Sequence, residues 1–471
     1  MSIQCANLLL FFYLCKYIHD FCEKYQYFLF FCQKMTTFAV EMSLRTLVKS
    51  SGVRNFTKLL SANVVAQVIG LVVYPLLTRM YAPEDFGLLN LFMSIGGVLA
   101  LIAVAEYHYA IVLPKDEKDA VGVFHVGLLL LLFVVLLIGV SVLFSDTISF
   151  VFKTPSLSSV YYLLPGYVFF IGFWNLLNYW CVRQQRFGQI SIYQISQSVI
   201  SSVGKIIFGI QNILRVGMVY SVVFAPMISI LLVLVGGWRK INPLFKFSWS
   251  NICQQAAKYK NFPLYVMPRG LLNALGGNLP TLLLTPYFGL VEIGFFGMAL
   301  TLSFRPINIV CSSLYQVLYQ KVTDRVNESK GVLSLIRNFL MQIGVVTLLL
   351  FGVLYVVMPY IVSFLLGAEW IIVSDYIRIF LPWLFFVVLN TSLSFLPDVF
   401  GKQSIYLLFE ILYILVRLLA LIIGVRMNSM HTALFLFSMI GAVILLIELC
   451  WFIYMVVRYE KRREQVGDKS E

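Results

Sequence analysis

The sequence predicts an all-α integral membrane protein with about twelve transmembrane helices in two six-helix lobes. Composition, a dozen apolar runs and a phrase written twice predict it. Apolar residues make up 60% of the 471-residue chain and charged residues only 12%, with 40 Phe and 26 Tyr. A soluble domain carries roughly a quarter charged residues, so this chain is built for another solvent. Runs such as GLLLLLFVVLLIGVSVLF (Gly127–Phe144) and LFLFSMIGAVILLIELCWFIYMVV (Leu434–Val457) approach or exceed the ~20 residues that cross a bilayer as helix. One buried core helix would account for a single such run, but not for twelve. The phrase LLTRMYAPEDFG at Leu76–Gly87 returns as LLTPYFGLVEIG at Leu283–Gly294, 207 residues later.

Residues 1–41 stand apart. LLLFFYLCKYIHDFCEKYQYFLFFC contains Lys16, His19, Asp20, Glu23 and Lys24 at its centre, which argues against a spanning helix, and no small-residue cleavage site follows. A second start exists at Met42, ahead of an ordinary basic lead-in, SLRTLVKSSGVRNFTKLL. Residues 1–41 therefore read as a non-native or disordered extension, with an interfacial helix as the alternative. The cysteines form no C-x-x-C or Cys/His cluster, so neither a metal site nor a disulfide framework is expected.

Past Met42 the apolar runs place spans at 56–79, 87–112, 121–145, 159–182, 190–213 and 216–238, then 263–287, 292–316, 333–357, 374–398, 403–425 and 430–457. With the amino terminus in the cytoplasm, inner loops hold Arg45, Lys49, Arg54, Lys58, Lys115, Lys118, Arg183, Arg186, Lys258, Lys260, Lys321, Arg325 and the tail RYEKRREQVGDK. Outer loops hold only Arg79, Lys153, Arg215 and Arg426. Both termini are therefore expected inside. The net charge of +13 is mostly this topology signal, and no nucleic-acid motif accompanies it.

The longest inner loop, 239–262, divides the spans six and six, giving lobes at 42–238 and 263–457 and a basic tail at 458–471. Within the loop, FSWSNICQQAAKYKN offers Ser248 as a helix cap and aromatic and basic residues suited to a membrane surface. A second echo, FGQISIY (Phe187–Tyr193) and FGKQSIY (Phe400–Tyr406), lies 213 residues apart. Two echoes in the same order signal duplication. An even number of spans per repeat relates the lobes by an axis along the membrane normal, an arrangement in which transporters hold substrate between lobes. The paired phrases then mark short outer hairpins, with Asp85 and Glu292 on the rim and Gly87 and Gly294 allowing tight re-entry.

No catalytic constellation emerges: His19, His108, His125 and His431 are scattered, and no nucleophile-elbow, Walker or zinc pattern exists. The chain is not expected to be an enzyme. The informative residues are charges inside spans, which are expensive there unless they face a wet cavity or a partner. Arg269, Arg305, Lys205, Arg417 and Arg378 are candidate cavity cations; Glu106, Glu410 and Glu448 are the accompanying acids. Glu106 and Glu410 are candidates for ion coupling or cation pairing, while Arg378 near its span end can also snorkel. Arg269 lies ~9 Å and Arg305 ~16 Å deep from the inner face, at 1.5 Å per residue. Lys205 and Arg417 fall 18 and 17 residues after the matched Phe187 and Phe400, making a second cationic tier. Cations in excess of buried acids suggest an anionic cargo, and arginine suits bidentate phosphate contacts.

At these residues a resemblance appears. SGVRNFTKLLSANVVAQVIGLVVYPLLTRMYAPEDFGLLNLF, followed by AEYHYAIVLPKDEKDA, resembles the opening of Wzx-type polysaccharide flippases. These form the polysaccharide transporter branch of the multidrug/oligosaccharidyl-lipid/polysaccharide exporter superfamily. The resemblance begins near Ser51, covers the remaining length in span count, linker and the RFGQISIYQI segment, and excludes residues 1–41. It implies two lobes around a V-shaped cavity in a bacterial inner membrane, moving undecaprenyl-diphosphate-linked oligosaccharide for O-antigen, capsule or exopolysaccharide. It also implies H+ or Na+ coupling without another cofactor, and polymerase and chain-length proteins of the same pathway as partners. A cation-coupled multidrug or organic-solute exporter is the alternative, which deep carboxylates would favour. A glycan polymerase or ligase would require a large outer loop, and those here hold at most ~20 residues.

Overall fold

The structure, a computed structural model, describes residues 51–241, 244, 247–328 and 330–467, so the reading of residues 1–41 lies outside them. The chain divides into a unit of Met1–Phe56 and one of Thr57–Glu471, and the architecture below is that of the second. Its long helices are α1 (Ser51–Met80), α2 (Pro83–Val104), α3 (Glu117–Ser141), α4 (Leu164–Arg183), α5 (Phe187–Ile210) and α6 (Leu214–Ile241). After the linker come α7 (267–288), α8 (290–327), α9 (Leu333–Leu366), α10 (Ile372–Leu393), α11 (Gln403–Arg426) and α12 (Met430–Gly467).

Among the described residues nine helical segments are long and apolar enough to cross a membrane, and the bent pair Pro155–Tyr161 with Leu164–Arg183 makes a tenth. One of the nine, Phe262–Asn327, holds both α7 and α8. Gly289, at φ 78° and ψ 177°, breaks the helix with a backbone that favours glycine. Leu272 and Phe304 line one cavity, although a straight helix would hold their Cα atoms ~48 Å apart, so α8 folds back along α7. The twelfth, α5, has the length to span but carries Gln189, Gln194, Ser196, Gln197, Ser198, Ser201, Ser202 and Lys205. The all-helical, twelve-span organisation is thus present.

Two expected boundaries shift. The second span ends at Val104 rather than near residue 112, because Ala105 (φ 44°) and Glu106 (φ 59°) turn left-handed before a short helix at Tyr107–Ala110. The fourth span is the pair bent by 56° around Tyr162 and Leu163. At the linker, Ser248 occupies the N-cap position of the helix Trp249–Lys258, but its hydroxyl caps nothing. That helix is instead tied to the first lobe. Asn251 Nδ2 donates to the Lys118 carbonyl (2.7 Å), Tyr107 Oη to that of Ala256 (3.1 Å), and His125 Nε2 lies 2.8 Å from the Leu244 oxygen.

The repeated phrases meet in space. The end of the bundle carrying the Tyr81 and Gly289 turns is called here the turn end, and the opposite the linker end. A Cβ added to Gly87 would collide with the Leu290 carbonyl, and one added to Gly294 with the Pro83 carbonyl. Both contacts join residues that correspond under the 207-residue offset, so the interface is isologous: each repeat offers the other the same surface. One turn further on, Asn90 Nδ2 donates to the Ile293 carbonyl at 3.4 Å, and its side chain occupies the space that a Cβ on Gly297 would need. Trp370, only 1% exposed, reaches across from a short 3-10 helix (Ala368–Trp370). Its Nε1 donates to the Thr78 carbonyl (3.3 Å), and its ring meets Phe86 and Phe295 edge-on. The phrase glycines are therefore helical, and their role is close helix approach; the turn itself belongs to Gly289. Asp85 Oδ2 accepts from the Ala82 N–H at 3.0 Å, and Tyr376 Oη donates to Glu292. Both acids are structural rim residues.

Candidate functional site

α7, α8, α10, α11 and α12 enclose a cavity of about 740 Å³ in the second lobe. Arg269, Arg305 and Arg417 line it together with Glu410 and Glu448, so three of the five expected cations converge on one space. The two acids that line it with the arginines make the cavity mixed rather than cationic.

Each arginine has its own surroundings. Arg269, in the first turn of α7, is exposed and lies in electrostatic reach of Glu410, with no carboxylate within ion-pair distance among the described residues. Arg305 crosses the lobe boundary. Its guanidinium fills the space above Gly70, lies 5.4 Å from the Tyr74 ring centroid and makes a long hydrogen bond to Tyr74 Oη (3.5 Å). Arg417 is 7% exposed and held by aromatic rings, 3.5 Å from Phe437, 4.2 Å from Trp383 and 4.6 Å from Tyr413. Its Nη1 donates to Tyr413 Oη at 2.7 Å, and Trp383 Nε1 donates to the same oxygen at 2.8 Å. Glu410 and Arg417, seven residues apart on α11, do not pair; cation–π contacts take the place of a counter-ion.

The other two cations fall elsewhere. Lys205, on α5 of the first lobe, does not line this cavity but feels the charge of Arg305 across the lobe boundary. Its carbonyl accepts from Tyr81 Oη at 2.7 Å. Arg378 stands apart from the other cations. It lines neither cavity described here, because its guanidinium is engaged on the α9 side. Nε donates to the Tyr355 carbonyl (2.8 Å), Nη1 sits 3.6 Å from Asp375 Oδ1, and the Tyr355 ring lies 5.2 Å away.

A second cavity of about 310 Å³ lies between the lobes, lined by Leu101, Glu106 and Tyr109 on one side and α7 on the other. Asn273 and Gly277 line both cavities, so the two adjoin. Glu106 lies beyond the end of α2, and burial pushes its carboxyl up to about 7. Burial also pushes the nearby His108 imidazole down to about 4. His108 Nε2 lies 3.2 Å from Glu106 Oε2. With the imidazole neutral at pH 7, this is a carboxyl–imidazole contact rather than an ion pair.

Sequence reasoning missed the aromatic residues around Arg417. Only Tyr413, four residues earlier on α11, could have been found from helical spacing. Trp383 and Phe437 arrive from α10 and α12. Asn273, Asn278, Asn308 and Asn390, the neutral polar residues of the cavity walls, carried no signal in an apolar background.

The polysaccharide biosynthesis protein family matches residues 76–375 of the chain. No curated protein matches it. Among solved structures, an inward-facing multidrug resistance MATE family transporter of the MOP superfamily is similar over 90% of this chain and 98% of its own. The identity is 15% and the TM-score 0.65. The lipid II flippase MurJ, in an inward closed conformation, is similar over 89% of this chain and 93% of its own, at 12% identity and a TM-score of 0.65. A likeness at that identity shows a shared fold, the two-lobe helical fold expected from the duplication.

Proposed function

Because the chain belongs to the polysaccharide biosynthesis protein family, we propose that it is a flippase carrying undecaprenyl-diphosphate-linked oligosaccharide across a bacterial inner membrane. The observation that supports this reading most is the cation pair at the lobe boundary. Arg305 of the second lobe rests on Gly70 and Tyr74 of the first, within reach of Lys205, and no carboxylate lies within ion-pair distance of either among the described residues. Like charges facing each other across a movable boundary repel. A diphosphate bridging them replaces that repulsion with charge-assisted hydrogen bonds to both lobes. Arg269 extends the same cationic path toward the linker end, and Arg417 is the deeper cation of the second lobe.

With both termini cytoplasmic, the sealed turn end faces outward and the state is ready to receive cargo from the cytoplasm. Polymerase and chain-length proteins of the pathway are the partners that would take the product. The test is transport of a fluorescent undecaprenyl-diphosphate oligosaccharide in proteoliposomes, with accumulation of the lipid-linked precursor in cells as the second readout. Arg269→Ala and Arg305→Ala are expected to lower transport at least roughly tenfold each, the effect of losing one charge-assisted contact, with membrane levels unchanged. Wild-type transport in both would remove the site.

A second reading, a cation-coupled exporter of organic solutes, is favoured by Glu410 and Glu448, which line the large cavity together. Under it, Glu410→Gln and Glu448→Gln abolish uptake driven by an H+ or Na+ gradient while the arginine variants stay active. In the flippase reading the same acids couple an ion gradient to lobe movement, and the arginine variants fail.

A further inference from the structure

Glu106 is placed at cost. It and Ala105 are consecutive non-glycine residues with left-handed backbone, at φ 59° and 44°. Such conformations are held only where the surroundings enforce them, and they cluster at ligand sites. The result is a carboxylate that is 4% exposed and stands at the wall of the inter-lobe cavity. Its Oε2 has no hydrogen-bond partner, the 3.2 Å approach of His108 Nε2 being misaligned. Its Oε1 occupies the space that any side chain on Gly270 of α7 would fill. No Lys or Arg lies within ion-pair distance of it among the described residues.

Around this carboxylate the cavity presents three kinds of surface. Tyr109, 42% exposed, offers a ring braced by His108 at 4.2 Å and Tyr179 at 5.0 Å between centroids. Asn273 and Asn278 supply side-chain amides; the Asn278 Nδ2 is spent on the Ala274 carbonyl (2.8 Å), which leaves its oxygen as an acceptor. Gly270, Ala274 and Gly277 keep the α7 side open. A buried carboxyl oxygen without a partner calls for a hydrogen-bonding ligand, amides satisfy hydroxyls in either sense, and an aromatic face suits the C–H face of a ring.

We propose that Glu106, Tyr109, Asn273 and Asn278 form a sugar subsite between the lobes, with the Glu106 carboxylate accepting from vicinal hydroxyls of a pyranose lying on Tyr109. The proposal rests on the flippase reading for its biological cargo, and it separates recognition of the glycan from recognition of the diphosphate by Arg305 and Lys205. The sugar bridges Glu106 of the first lobe and α7 of the second, so its hydroxyl pattern is read at the contact between the moving bodies.

The test is saturation-transfer NMR on the full chain in nanodiscs, with methyl glucoside as probe and its per-O-methylated analogue as the donor-free control. Methyl glucoside is expected to give a signal and the methylated analogue none. Glu106→Gln is expected to weaken binding roughly tenfold, the effect of losing a charged hydrogen-bond acceptor. Gly270→Ala attacks the site from the opposite wall while leaving the carboxylate, and is expected to abolish the signal in a protein that stays monodisperse. Arg378→Gln, outside both cavities, is the unaffected control. Equal binding of the methylated sugar, or wild-type binding in both the Glu106 and Gly270 variants, overturns the proposal. So does a signal that depends on Glu106 only in the presence of added Na+, which would make the carboxylate a cation site. Absence of sugar binding by the wild type, with intact diphosphate-lipid transport, sinks this inference alone. Glu106-dependent sugar binding without lipid transport leaves the subsite and sinks the flippase reading.

Discussion

Glu106 and His108 respond to pH in opposite senses, although one cause, burial, moves both. The Glu106 carboxyl rises from 4.5 to about 7, so the folded chain holds this proton more tightly than the unfolded one. Its stabilising contribution is complete below pH 4.5 and is lost as pH rises to 7, about 3 kcal/mol in all. The His108 imidazole falls from 6.5 to about 4, so folding excludes that proton, and stability is lost as pH falls from 6.5 toward 4. Between pH 4.5 and 6.5 the two slopes nearly cancel. Thermal unfolding of the wild type is therefore expected to be flat in this window. In Glu106→Gln the melting temperature should rise from pH 4 to 6.5, and in His108→Gln it should fall from pH 4.5 to 7. Parallel profiles for the three proteins would show that burial does not set these protons. The residue scale also marks the limit of reading a sequence. Arg417 stood out because a charge in an apolar run is conspicuous, while Trp383 and Phe437, which hold it, are ordinary aromatics until tertiary packing brings them to it.

Helices were legible to the extent that apolarity ends where the helix ends. Pro83 at the first helical position, with Glu84 and Asp85 in the first turn, announces the start of α2. Its end is unannounced, since AEYHYAIVLP continues apolar past the left-handed pair that stops the helix. The glycines of the repeated phrase were visible as a pattern but not as a contact. Sequence places them near a turn, whereas packing uses them to let α2 and α8 touch backbone to backbone. This assigns a specific cost to larger side chains there. Gly87→Leu must displace the Leu290 carbonyl and Gly294→Leu that of Pro83, an overpacking worth roughly 1–3 kcal/mol. The strain is relieved if the turn end opens, so each variant is expected to expose Trp370, buried beside this contact in the wild type. Acrylamide quenching of tryptophan fluorescence, compared with a Trp370→Phe background, reads this directly. Quenching equal to wild type in both leucine variants would mean that the turn end opens by another route.

At the scale of the whole molecule, the duplication makes an interface as well as two lobes. Two contacts that map onto each other under the 207-residue offset, Pro83 with Gly294 and Gly87 with Leu290, join the copies reciprocally, so the repeat axis passes through the turn end. The even span count predicted that axis from the sequence. That the copies touch there could not be read, because contact depends on which face each helix presents. The charges are not duplicated with the fold: Arg269 and Arg305 stand only in the second copy. A movement that exposes the Arg305–Lys205 boundary to the turn side must therefore separate α2 from α8. Asn90 and Gly297 test this. The Asn90 side chain lies where a Cβ on Gly297 would stand, so cysteines at both positions place their sulfurs within bonding reach in the sealed state. Asn90→Cys/Gly297→Cys is expected to crosslink under mild oxidation and to lose transport while crosslinked. Reduction should restore transport to the level of the two single variants. Each single cysteine controls for the lost Asn90 hydrogen bond and the added Gly297 side chain. Full transport by the oxidised double variant, with the crosslink verified by mass spectrometry, would show that cargo crosses without parting the two helices and that rocking of the lobes about this contact is not the mechanism.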